Sequence, residues 1–228
     1  MPFQHDRYMS INILHKAFLL MALLCTSCCR PTVGFTPEEH RLIHGADSTM
    51  RVLTIEDSPD LTILRASSQD LTYGMLLSDE FKRLSELMIA TVTHPSQDGV
   101  GIAGPQVGLN RRVVAVQRFD KEGEPFKVYP NVRIVWASDS LVSGPEGCLS
   151  VPGRRGEVLR SKEIAIEYTD LAALDSLDAK TSPRKLHRHF RATPLPTVRD
   201  TISGFTAVIF QHETDHLDGI LYIDRLEQ

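Results

Sequence analysis

The stretch His212-Glu213-Thr214-Asp215-His216 constrains this chain more than any other. Two imidazoles four residues apart lie one helical turn apart and can reach the same ion, so the pattern gains meaning only on a helix. The flanking residues agree. From Thr201 to Leu217, Phe205, Val208, Ile209, His212 and His216 fall on one helical face, and Gly219 stands where a C-terminal cap belongs. Glu213 projects beside the pair as a ready acid or base. Two histidines hold a metal poorly, and a hydrolytic site needs a third protein ligand and an open position for water. Cys148 offers a thiolate suited to zinc or ferrous iron, with Gly147 beside it to let the backbone take an unusual conformation. Glu146, Asp215 and the pair His187/His189 compete for the same place.

The rest of the body alternates between the two periods. Phe81, Leu84, Leu87 and Met88 recur at helical spacing between Ser78 and Thr93, with Ser78 or Asp79 as cap, and His94-Pro95 ends the run. Arg112 to Phe119, Phe126 to Trp136 and Glu163 to Thr169 are β-branched or aromatic and read as strands, with Ile164, Ile166 and Tyr168 pointing one way in the last. The order predicts an α+β fold, with small mixed or antiparallel sheets around a central C-terminal helix carrying the histidines.

With 42% hydrophobic and 24% charged residues, 228 residues can bury one sizeable core, and a net charge of -4 gives no field for holding nucleic acid. Cys25, Cys28 and Cys29 crowd near the N-terminus while Cys148 stands apart, which rules out a disulfide framework for the body. Residues 1–30 read as an export segment: His15-Lys16, then the apolar run Ala17 to Leu24, then small residues before a cysteine, as in the cleavage box of bacterial lipoproteins. This predicts a cell-envelope or secreted protein, with membrane contact only through a lipid on Cys28; a cytoplasmic protein with a frayed N-terminus is the alternative. Residues 31–60 lack a sustained period and read as a tether or arm, leaving 61–228 as the catalytic body.

Three segments resemble, in order, the signature motifs of the peptide deformylases: Gly99-Val100-Gly101-Ile102-Ala103-Gly104-Pro105-Gln106, Glu146-Gly147-Cys148-Leu149-Ser150, and Gln211 to Gly219 around the two histidines. The resemblance runs from about Leu61 to Leu226. It implies removal of the formyl group from N-formylmethionyl peptides or nascent chains, with release of formate. Cys148, His212 and His216 would bind one divalent metal, ferrous iron by resemblance, with zinc favoured in an oxidising compartment. Glu213 would move the proton, while Gln106 through its amide and Leu149 through its backbone N–H would stabilise the oxyanion. Gly99, Val100 and Gly101 would let a peptide backbone lie close as an added strand, and Gly147, Arg155, Phe205, Val208 and Ile209 would complete the substrate pocket.

Two departures stand out. Gly104 occupies a position where the family usually has alanine, which predicts a looser backbone two residues before Gln106. Asp170 to Arg199 is longer than the connection expected there and contains the basic run Lys185 to Arg191, which reads as a surface insertion or a flap. The rival readings are an H-E-x-x-H metallopeptidase with a different third ligand, and an envelope protein that binds formylated peptides without catalysis.

Overall fold

The computed structural model describes residues 34–180 and 194–226; the export segment, Cys28 and the basic run 185–191 lie outside them. The architecture is mixed α/β, with three small antiparallel sheets among the described residues. Strands β1 (Gly101–Ala103), β2 (Val113–Gln117) and β3 (Phe126–Pro130) form the first, in that order. Strands β4 (Arg133–Ala137), β7 (Glu163–Thr169) and β8 (Thr197–Ser203) form the second in the order β4-β7-β8, and β5 (Leu141–Cys148) pairs with β6 (Val151–Ser161) as a long hairpin. Among the described residues, six α-helices accompany these sheets: α1 (Pro37–Gly45), α2 (Ser58–Leu64), α3 (Tyr73–Leu76), α4 (Asp79–Val92), α5 (Leu171–Lys180) and α6 (Gly204–Leu217). Helix α6 touches strands of all three sheets, so its side chains are held from several directions at once.

Helix α4 follows the sequence reading closely. Ser78 caps it by accepting from the Phe81 N–H at 3.2 Å, and Phe81, Leu84, Leu87 and Met88 are buried. Helix α6 is shorter than its periodicity predicts. Thr201 to Ser203 pair with β7, Ser203 opposite Glu163 and Thr201 opposite Ala165, and Gly204 at φ +67° makes the turn into the helix. Backbone pairing to β7 satisfies these residues' N–H and C=O groups and overrides the helical pattern of their side chains. At the other end Gly219 takes φ +73°, with its N–H on His216 O at 3.1 Å and the Ile220 N–H on Asp215 O at 2.9 Å. These are the two bonds of a Schellman motif, and they end the helix just after the second histidine.

The stretch read as one strand, Phe126 to Trp136, is two strands in different sheets. Asn131 sits between them at φ +56°, where its side chain accepts from Leu71 N–H at 2.7 Å and donates to Leu71 O and Thr169 Oγ1. Asparagine tolerates that conformation, and its buried amide ties the corner down. The β5/β6 hairpin carried no strand signal, because Gly144, Pro145 and Gly147 interrupt β5 and most of its side chains are exposed. Residues 34–60 also depart from the aperiodic arm expected of them. Thr36 and Glu39 form a reciprocal capping box on α1, and Ile43, Met50 and Leu53 are buried against the body. Burying Ile43 alone contributes about 1.5–3 kcal/mol, which aperiodicity could not reveal. After β7, Asp170 N–H donates to Pro196 O at 2.9 Å, and Leu174 of α5 is buried.

Candidate active site

Strand β5 ends at Cys148, and a two-residue turn, Leu149-Ser150, returns the chain at Val151. The register breaks at Gly147: Glu146 faces Gly156, whereas Cys148 faces Val151. This break, and not a special glycine backbone, aims both side chains inward. Gly147 is absent from the residues at positive φ, and a methyl group there would meet Arg155 and Arg154 only at ordinary contact distance, so the unusual conformation expected of it does not occur.

Cys148 Sγ lies 3.2 Å from His216 Nε2, and one ligand atom from each of Cys148, His212 and His216 lies within 4.8 Å of the other two. Two of the competing donors, Glu146 and Asp215, are engaged elsewhere. Glu146 accepts from Arg160 Nε at 2.7 Å and Nη2 at 3.0 Å, and its Oε2 lies 2.8 Å from His212 Nδ1. Asp215 accepts from Arg160 Nη1 at 2.6 Å and from Arg225 at 2.6 and 2.7 Å. His187 and His189 fall outside the described residues. Glu146 therefore orients His212 from behind instead of joining the three donors, a placement that keeps a proton on Nδ1. Arg160, which anchors this arrangement, gave no sign in the sequence, because nothing near it in the chain is a partner.

The electrostatics separate the groups. Burial works against a charge on His212, but the neighbouring Cys148 sulfur and Glu146 carboxylate outweigh it and raise the pKa to about 10. Burial, reinforced by His212 and Arg160, holds His216 well below its ordinary value, so this ring is neutral and its nitrogen lone pair available. Glu146 is pulled down to about 2, since the hydrogen bonds from Arg160 and His212 overcome burial. Burial pushes Glu213 up to about 7, and its Oε2 has no hydrogen-bond partner although only 4% of the residue is exposed. An unpartnered buried carboxylate beside a sulfur and two imidazoles fits a site built around a cation and a water.

Gln106 completes the inner wall. Its Oε1 accepts from the Ala103 N–H at 2.8 Å, which turns the amide so that Nε2 faces Cys148 Sγ at 3.5 Å and Ser150 Oγ at 3.3 Å. The orientation of the donor is thus set by backbone. Gly104 contributes differently from expectation: it is buried, and a methyl group there would lie 2.7 Å from Arg111 O and 2.8 Å from Leu109 O. Close backbone packing, not looseness, explains this glycine.

These groups open onto a cleft of about 750 Å³. Gly99, Val100, Gly101, Gln106, Gly147, Cys148, Leu149, Arg155, Phe205, Val208, Ile209, His212 and Glu213 all line it, while His216 lies buried behind. Gln97, Asp98, Pro145 and Arg154 also line it and went unread in the sequence. Strand β1 is the edge of its sheet, so one side of its backbone faces no other strand among the described residues.

Fold and site together define a hydrolase class in which a cysteine sulfur and two helix-borne imidazoles converge beside a carboxylate oxygen that has no hydrogen-bond partner. Comparison with known proteins narrows this: residues 50–177 and 186–228 match the polypeptide deformylase family, and the chain belongs to it. A peptide deformylase of Leptospira biflexa is 34% identical over 172 residues, covering 72% of this chain and 83% of that protein. Peptide deformylase 2 of a Nostoc species is 40% identical over 153 residues, 64% and 72% of the two chains. Among solved structures, the class I type b peptide deformylase of Acinetobacter baumannii bound to Met-Ala-Ser superposes with a TM-score of 0.61 at 29% identity, covering 78% of this chain and 98% of that one. The Thermotoga maritima peptide deformylase gives 0.61 at 28% identity, with 80% and 100% covered.

Proposed function

We infer that this protein is a peptide deformylase: a metal-dependent hydrolase that removes the N-formyl group from formylmethionine-terminated peptides and releases formate. The observation that carries the mechanism is the approach of Cys148, His212 and His216 within 4.8 Å, with the unpartnered Glu213 carboxylate alongside. In the proposal, Cys148, His212 and His216 hold one divalent ion, so that α6 is the metal-binding helix. Such an ion lowers the pKa of a bound water to near neutrality and so supplies the nucleophile.

The chain's own residues do the remaining work. Glu213 takes a proton from the attacking water and hands it to the departing amine, a role suited to a carboxylate whose buried pKa lies near 7. The Gln106 amide, already oriented by Ala103, and the Leu149 backbone N–H donate to the oxygen that gains charge. The peptide backbone adds as a strand to the open edge of β1, along Gly99 to Gly101. Phe205, Val208 and Ile209 receive the methionine side chain, and Arg155 lies against Gly147 at the rim. The Acinetobacter relative, solved with Met-Ala-Ser, supports a peptide in this cleft.

The engagement of Glu146 and Asp215 by arginines disfavours a peptidase that draws its third ligand from either. Formate release from formyl-Met-Ala, measured with metal content, tests the reading. Glu213→Gln keeps its metal and loses activity, and Cys148→Ser loses both. A Cys148→Ser protein that retains metal and turnover would refute the ligand set.

Two finer points stand as proposals. The export-like segment places the enzyme in the cell envelope with Cys28 as lipid acceptor, which fractionation of wild type and Cys28→Ser tests. Iron follows from the family resemblance, and zinc from the difficulty of keeping ferrous iron on a thiolate in an oxidising compartment; metal analysis after purification without oxygen distinguishes them.

A further inference from the structure

Among the described residues, a second set of side chains meets the geometric condition that Cys148, His212 and His216 meet, and it lies away from the cleft. His40 and His44 are one turn apart on α1, and their rings stack with centroids 4.2 Å apart and planes inclined by 28°. Glu80, in the first turn of α4, places Oε1 3.7 Å from His40 Nε2. One ligand atom from each of the three lies within 4.8 Å of the other two, and none of the three lines the cleft.

We propose that His40, His44 and Glu80 form a second divalent-metal site, of the zinc type, that clamps α1 to α4. Two imidazoles and a carboxylate suit zinc and its neighbours better than magnesium or calcium, which prefer all-oxygen sites. Three protein ligands leave a position for water. Ligand atoms around a tetrahedral ion with bonds of about 2.0–2.1 Å sit roughly 3.3–3.5 Å apart. The rings must therefore rotate out of their stack, so that their in-plane lone pairs converge, as well as close on the ion, a change that exposed side chains can make: 53% of the His40 side chain and 31% of the Glu80 side chain are accessible.

The neighbouring arginines do not take these three groups, although Glu80 also accepts hydrogen bonds from Ser78 and the backbone in the first turn of α4. Arg83, one turn beyond Glu80, spends its guanidinium on Ile43 O at 3.1 Å and Ala46 O at 2.5 Å, at the end of α1. Glu39 is taken by Arg111 at 2.6 Å and Glu38 by Arg41 at 3.0 Å. The ion would join ligands from two helices well separated in sequence. Because the unfolded chain does not hold them together, binding would stabilise the fold by linkage.

The test uses the whole protein with zinc already in its active site, titrated with further Zn²⁺ by calorimetry. Wild type takes up one additional equivalent, and its Tm rises with it. The double variant His40→Ala/His44→Ala loses that equivalent and the Tm response, while its formate release in the absence of added zinc equals wild type, which shows that it folds. Glu80→Gln weakens the additional site about tenfold. Absence of a further equivalent in wild type, or its survival in the double variant, overturns the proposal; neither result bears on the deformylase reading.

Discussion

Glu213 lies directly against the α-carbon of Gly101: a methyl group added there would sit 2.5 Å from Glu213 Oε1 and 2.9 Å from its Cδ and Cγ. The carboxylate proposed to move the proton occupies the space in which any other residue at 101 would begin its side chain. Gly101 was read as room for substrate backbone. The structure adds that it is also room for the Glu213 carboxylate.

Gly101→Ala is therefore expected to fold and hold metal but to lose about 100-fold or more in kcat, since a displaced general base forfeits most of its contribution. Formate release and metal content on the same preparation check this. Wild-type turnover in the variant would mean that Glu213 can work from another rotamer.

Gly104→Ala tests the departure at the neighbouring turn. The new methyl would press on the backbone carbonyls of Leu109 and Arg111, neither of which can swing aside as a side chain could. A loss of about 1–3 kcal/mol in unfolding free energy is expected, read from urea denaturation. An unchanged midpoint would show that the turn from Leu109 to Arg111 yields at no cost.

Arg160→Met removes the cation that Glu146 and Asp215 share while nearly preserving volume. Glu146 and Arg160 are 8% and 5% exposed, so the substitution strands a buried carboxylate, and a loss of about 3–5 kcal/mol is expected. Because Glu146 orients His212, metal affinity falls roughly 10–100-fold, measured by competition with a chelator. Lowered stability with undiminished metal affinity would confine Arg160 to the fold.

The acid limb of stability depends in part on Asp120. Hydrogen bonds from Arg118, at 2.7 and 2.6 Å, outweigh burial and lower its pKa from 3.8 to about 2. A carboxyl depressed in the folded state contributes fully above its unfolded pKa, and that contribution is lost as pH falls toward 2. It amounts to something on the order of 2 kcal/mol. Thermal unfolding of wild type should therefore lose ground between pH 4 and 2 faster than Asp120→Asn. Parallel curves would remove Asp120 from the account.

Much of the site was legible in the chain because its parts are local. Two histidines at a spacing of four, on an apolar face ended by Gly219, determine a helix that presents both rings together, since 3.6 residues per turn leave no other face for them. The capped α4 and the alternation of Glu163 to Thr169 are equally local. Besides the pair His187/His189, which lies outside the described residues, what the chain left open was the choice among Cys148, Glu146 and Asp215. Each is a good donor by itself, and only the arginines that reach them from β6 and from beyond α6 separate one from the others. The β5/β6 hairpin, the corner at Asn131 and the packing of residues 34–60 were likewise decided in three dimensions. The hairpin's pairs are near in sequence, but its glycines, proline and exposed side chains show no period; the contacts of the corner and of residues 34–60 join residues far apart, and no local period records a partner that arrives from elsewhere in the chain.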